Sequence, residues 1–185
     1  MPDNTLPIAI VAAAGFIEQS LTNTQKALIA ANITYHVITP EGALVQGWHE
    51  NSWGHHFMAD GKLADVISAD YSGLILLDGP NSADSLTENA HAKRLVKAFV
   101  EGGKPVLAID DAIRILVAAD VAAGKRIAAP EALRSELTRD GAEPIDSEAL
   151  VIDGTLVTAT AEASGTARLE ALLGLHASNS VPQAA

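Results

Sequence analysis

Three apolar runs of strand length limit what this chain can fold into: residues 6–14 (LPIAIVAAA), 73–77 (GLILL) and, within the strand expected over 104–109 (KPVLAI), the five residues after Lys104. A strand with one face in water alternates apolar and polar residues. These runs do not alternate, so each is expected to be covered on both faces. Each also ends abruptly, at Gly15, Asp78 and Asp110. Between the runs, apolar residues recur at helical spacing: Leu21, Ala27, Leu28 and Ala31, then Leu95, Val96 and Phe99, then Ile113, Leu116 and Val117. Strands and helices alternating through short connections predict a doubly wound α/β fold, a mostly parallel sheet with helices on both faces.

The remaining segments fit that plan. YHVIT at 35–39 is a β-rich run closed by Pro40, Glu41 and Gly42, so the first forty residues read as one β-α-β unit. Residues 47–60 (GWHENSWGHHFMAD) read as a loop carrying two tryptophans and three histidines, and 62–67 as one or two helical turns. Ser85, with Glu88 three residues on, has the spacing of a capping box and predicts a helix start there, stopped by Gly102 and Gly103. Residues 126–129 and 150–160 supply further strands, the second folded back by the Asp153-Gly154 turn. A last helix is expected over 167–175. This makes a single domain of residues 1–175 and a frayed tail over 176–185. In a doubly wound sheet ligands collect beyond the carboxyl ends of the strands, which singles out residues 15–20, 78–82 and 110–112.

Composition narrows the function. The chain has 185 residues, 48% of them hydrophobic, and no stretch is apolar and charge-free for the roughly 18 residues a membrane helix needs. The start, MPDNTLP, carries an acid and no base before the first apolar run, so a secretory signal is not expected and the protein is read as cytoplasmic. A formal charge of −11 repels phosphate backbones and acidic lipid, so neither nucleic acid nor membrane is an expected partner. Cysteine is absent, which removes thiolate metal sites and any cysteine nucleophile.

Several motifs occur in one order: GFIE at 15–18, DYSGLILLDGPNSADSL at 70–86, GKPVLAIDDAI at 103–113, GAE at 141–143 and VIDGTLVT at 151–158. On these the chain resembles the ThiJ/PfpI superfamily, the intracellular protease/amidase-like and deglycase-like proteins. The resemblance implies their flavodoxin-like, class I glutamine amidotransferase-like fold and spans residues 8–173. It also implies a nucleophile elbow at Gly103–Ile113, where members carry a cysteine followed by a histidine. Here those positions hold Asp110 and Asp111, followed by Ala112. The glutamate that bonds the cysteine falls on Ser20, with Glu18 nearby. Asp78 replaces the first glycine of a pair whose second, Gly79, keeps the position of the oxyanion hole, and an arginine after the last hairpin strand is replaced by Thr160. Asp111-Ala112 also resembles the C-terminal domain of large-subunit catalases, which has the fold without the cysteine.

A carboxylate is a far weaker nucleophile toward carbonyl carbon than a thiolate, so Asp110 cannot take over the family's chemistry. Three function classes follow: a non-catalytic member binding a small molecule at the former active-site pocket, a divergent hydrolase, amidase or lyase using Asp110, Asp111, Asp78 or Glu18 as acid and base, and an interaction module. The first is the leading expectation, with a homo-oligomer as the expected assembly and no cofactor. Asp110 is expected to cap the elbow helix. The competing reading is that Asp78, Asp110 and Asp111 converge on a divalent cation. His49, His55 and His56 are a second set of candidate metal ligands, set against a loop that packs at a pocket rim or subunit contact.

Overall fold

The computed structural model describes residues 6–179. β1 (Ile8–Val11) leads through β2 (Phe16–Ile17) and α1 (Glu18–Ala30) to β3 (Tyr35–Thr39), which pairs with β1 in parallel, Ile8 opposite Tyr35. The predicted β-α-β unit is therefore present, with one short strand added. A hairpin of β4 (Leu44–His49) and β5 (Ser52–Met58) leaves the sheet, and β6 (Gly61–Lys62) rejoins it beside β3. Next come β7 (Gly73–Leu76), α2 (Pro80–Glu88), α3 (Ala90–Glu101), β8 (Val106–Ile109) and α4 (Ile113–Ala118). β9 (Arg126–Ala128), α5 (Arg134–Arg139) and β10 (Glu143–Ile145) form a side unit in which the two strands pair in parallel. The hairpin of β11 (Leu150–Asp153) and β12 (Leu156–Ala159) then precedes α6 (Gly165–Asn179).

The main sheet has the order β11-β12-β8-β7-β1-β3-β6. Only β11 runs antiparallel to its neighbour. The doubly wound, flavodoxin-like reading holds. The uninterrupted apolar runs have a direct cause in the strand period of two. Ala9, Val11, Leu74, Leu76, Val106 and Ala108 enter one core with Leu95, Phe99 and Leu116 of α3 and α4. Ile8, Ile10, Ile75, Leu77, Leu107 and Ile109 enter the other with Leu21 and Leu28 of α1 and Leu169 and Leu172 of α6. The chain winds outward in opposite directions from β1 and β7, so their carboxyl ends flank the crevice where such folds bind ligands.

Three local expectations are corrected, while the turn expected over 62–67 is present as a 3-10 turn. Residues 47–60 are not a loop but the turn and arms of the β4–β5 hairpin. It is held by the edge-to-face pair Trp48 and Trp53, 5.4 Å between ring centroids, and by Gln46 Nε2 donating to the Gly54 carbonyl at 3.0 Å. Ser85 does not start a helix: α2 begins at Pro80, whose fixed φ suits a first helical turn, and α3 is capped by Asn89, whose side chain accepts from the N–H groups of His91 and Ala92. Residues 62–67 contain one short 3-10 turn, Leu63–Asp65, and a second follows at Ser68–Asp70. The expected tail is helical through Asn179, because His176 continues the buried stripe of Arg168 and Leu172 at four-residue spacing and lies 2.8 Å from Ser72 Oγ. Residues 180–185 lie outside the described residues.

Phe99→Ala is expected to cost about 3–5 kcal/mol, because the ring is fully buried between sheet and helix. Asn89→Ala should cost about 1 kcal/mol through loss of the cap. Urea denaturation with an unchanged slope checks both.

Candidate functional site

The carboxyl ends of β1 and β7 are tied together. Ile17 N–H donates to the Asp78 carbonyl at 3.0 Å, and Ala13 N–H to the buried Ser82 hydroxyl at 2.9 Å. Gly79 has φ of 129°, and a Cβ there would meet Phe16 Cα at 2.8 Å, so both backbone and space demand glycine. At the end of β8 the chain turns through a 3-10 segment, Asp110–Ala112, into α4, with Asp110 at φ of 48°. This strand–turn–helix geometry, with a left-handed residue at the turn, is that of a nucleophile elbow.

Asp110 does not cap the elbow helix. Neither the 3-10 turn nor α4 receives a side-chain cap bond, and Asp110 Oδ1 instead accepts from Ala161 N–H at 3.1 Å, tying the elbow to the segment after β12. Asp111 is half-buried. Burial and then the Asp110 charge push its carboxyl above the usual aspartate range, against the pull of Arg114. Ala112 is fully buried in the α3–α4 core.

Asp78 and Asp110 line different cavities. Asp110 borders a cavity of about 340 Å³ with Glu131, Arg134, Asp146 and Glu148. Asp78 borders one of about 330 Å³ between α1 and α6, together with Gln19, Ser20, Asn23, Thr24, Leu107, Ile109, Arg168 and Leu169. Burial raises the Asp78 carboxyl above its ordinary range. A hydrogen bond with Ser20 and the Arg168 charge oppose the rise, and Asp110 adds to it. Asp78 Oδ1 is buried without a hydrogen-bond partner. Arg168, only 9% exposed, donates through Nη2 to the carbonyls of Thr160 and Ala161, and its Nε has no partner. The guanidinium from α6 thus binds the carbonyl of Thr160, the position where the resemblance led us to expect an arginine. Arg168 is not among the residues singled out from the sequence; the signal available was a charged residue on the face of α6 that also carries Leu169 and Leu172.

Glu18 is buried rather than exposed at the start of α1, and it faces the hairpin. Its carboxylate accepts from the backbone N–H of His55, contacts His55 Nδ1 at 3.1 Å and lies 3.7 Å from His49 Nδ1. A Cβ on Gly47 or Gly54 would overlap this carboxylate, so those two glycines make its pocket. Burial alone would raise the Glu18 pKa. The His55 hydrogen bonds and the charges of His55 and His49 outweigh burial and hold it below the usual glutamate range. His56, next along β5, projects to the opposite face and lines a separate cavity with Ala13 and Thr39. Among the described residues no group of three or more His, Asp or Glu side chains has the placement to hold a metal ion. No helix among them is long and apolar enough to cross a membrane.

The DJ-1/PfpI family model matches residues 7–173. The chain belongs to the DJ-1/PfpI family. It is 32% identical over 152 residues to the putative cysteine protease YraA of Bacillus subtilis (strain 168), covering 82% of this chain and 86% of that one. It is 30% identical to general stress protein 18 of the same organism, with the same coverage. The match to protein DJ-1 homolog D of Arabidopsis thaliana, 34% identical, spans 58% of this chain but only 28% of that longer one. Among solved structures, the ThiJ/PfpI domain protein of Brachyspira murdochii superposes with a TM-score of 0.84 at 20% identity, covering 94% of this chain and 98% of that one. Drosophila melanogaster DJ-1beta gives 0.79 at 21% identity, covering 94% and 90%. These two show the shared fold. Within this DJ-1/PfpI scaffold the elbow geometry is present and the thiol is not.

Two of the three perturbed carboxyls, Glu18 and Asp78, act on stability with opposite signs. Glu18 has a folded pKa below its unfolded value, so its contribution is present above the ordinary glutamate range and is lost as pH falls through the lowered value. Glu18→Gln should therefore flatten the acid limb of a melting-temperature profile. Asp78 has a raised folded pKa, so stability falls as pH rises from the ordinary aspartate range through the raised value. Asp78→Asn should melt higher than wild type at neutral pH and match it in acid.

Proposed function

We propose that this chain is a ligand-binding member of the DJ-1/PfpI family that does not run thiol chemistry, and that it holds a small molecule in the cavity between α1 and α6. One observation carries the reading: Asp78 and Arg168 both line this cavity, and each has a buried polar atom, Oδ1 and Nε, without a protein partner. Polar groups left unsatisfied inside a protein destabilise it, and their placement at a concave site suits a ligand that completes them. Asp110 supports the same reading from the other side. Its carboxylate is engaged with Ala161 N–H and offers no thiolate-like nucleophile at the elbow.

The test is thermal melting against a collection of small polar metabolites. A ligand at about 100 times its dissociation constant adds roughly 2.7 kcal/mol, about 5–10 °C for a domain of this size. At least one chemical class is expected to give such a shift, and Asn23→Trp, at the exposed rim, should abolish it. Amidase, protease and deglycase assays are expected to stay at background in wild type and in Asp110→Cys, because Ser20 supplies no carboxylate beside a restored thiol. A second reading, acid–base hydrolysis or lyase chemistry by carboxylates, draws on the raised Asp78 and Asp111. Turnover that Asp78→Asn or Asp111→Asn removes would favour it over binding alone.

A further inference from the structure

We propose that the α1–α6 cavity takes a small α-amino acid as its zwitterion, the carboxylate on Arg168 and the ammonium on Asp78. The proposal rests on the reading of this cavity as a ligand site and names the ligand class. Arg168 is a buried charge. Its contacts with Thr160 and Ala161 are carbonyls, which orient the guanidinium without neutralising it, and its Nε–H has no acceptor. Among the described residues it forms no salt bridge, whereas Arg114, Arg126, Arg134 and Arg139, all more exposed than Arg168, each have a carboxylate within 4.0 Å. A buried cation with no carboxylate in contact is costly, and a carboxylate is the planar acceptor that a guanidinium edge fits.

The opposite need exists on the other wall. Ser20 engages the Asp78 carboxyl, yet Oδ1 is buried without a partner, and burial penalises the ionised form. An ammonium would supply both donor and counter-charge. Asp78 and Arg168 are near enough to influence each other electrostatically, but they do not close into an ion pair. A ligand bearing one charge completes one wall and leaves the other as it was; one carrying both signs on adjacent carbons completes both. The cavity, about 330 Å³, lies at the lower end of the roughly 300–1,000 Å³ typical of small-molecule sites. Leu107, Ile109 and Leu169 line it beside Asn23 and Thr24, which suits a short side chain.

Calorimetric titration of the purified protein at pH 8 with L-alanine and L-serine, against propionate and L-alaninamide, tests this. The amino acids are expected to bind at least tenfold more tightly than propionate, which lacks the ammonium, and than alaninamide, which lacks the carboxylate. Arg168→Gln should weaken alanine at least tenfold. Asp78→Asn should do the same while leaving propionate no weaker, and it carries the test if the arginine variant fails to fold. Alanine affinity should also rise with pH through the titration of Asp78, because the ammonium needs the ionised form. Propionate binding as tightly as alanine, or Asp78→Asn leaving alanine unaffected, overturns the zwitterion. If amino acids fail but another metabolite gives a shift that Asn23→Trp removes, the ligand class falls and the cavity reading stands. No shift from any compound sinks both.

Discussion

Burial of β1, β7 and β8 on both faces is the constraint from which the rest of this molecule follows. Alternate side chains of each strand enter separate cores, so both faces must be covered, α3 and α4 lying against one and α1 and α6 against the other. Covering both faces favours parallel crossovers, which place the carboxyl ends of β12, β8, β7, β1, β3 and β6 at one edge. The order β8-β7-β1-β3 then puts the reversal of winding between β1 and β7. The loops there cannot drift, because Gly79 packs against Phe16 and the Asp78 carbonyl is bonded to Ile17 N–H. A site at this edge is a consequence of packing before any reactive side chain is considered.

What could be read from the residues alone follows the same logic. Apolar runs and helical spacing are local signals, and they located the central strands, the β-α-β unit and the β11–β12 hairpin. The β4–β5 hairpin escaped because its pairing is carried by Trp48 against Trp53 and by glycines that make room for Glu18, with no alternating apolar face to reveal a strand. The end of α6 escaped because His176 is held by Ser72, 104 residues away in sequence. At the site, Asp78 and Asp110 were legible as residues ending strands. Their separation into two cavities, and the return of Arg168 to the carbonyls after β12, depend on where helices land and have no local signature.

The elbow shows why the scaffold tolerates loss of its nucleophile. A left-handed turn residue is disfavoured for most side chains, and aspartate and asparagine are among the few that adopt it readily. Asp110 therefore satisfies the backbone at φ of 48° while its carboxylate, accepting from Ala161 N–H, links β8 to the segment after β12. A feature that serves reactivity when a thiol stands there becomes a structural tie with an acid in its place.

The site's polar character has moved rather than vanished. The resemblance places a glutamate on α1 where Ser20 stands and a glycine where Asp78 stands, so one carboxyl is lost from the helix and one gained from the strand end. Ser20 and Asp78 are in hydrogen-bonding contact, which makes the exchange local. The gained carboxyl faces a cavity on the α1–α6 side, away from the one bordered by Asp110, and meets there a buried guanidinium that α6 provides. An acid next to a thiolate tunes a nucleophile. On the proposed reading, the same acid across a cavity from an arginine would sort ligands by charge, so Asp78, Ser20 and Asp110 together would turn a reactive centre toward recognition.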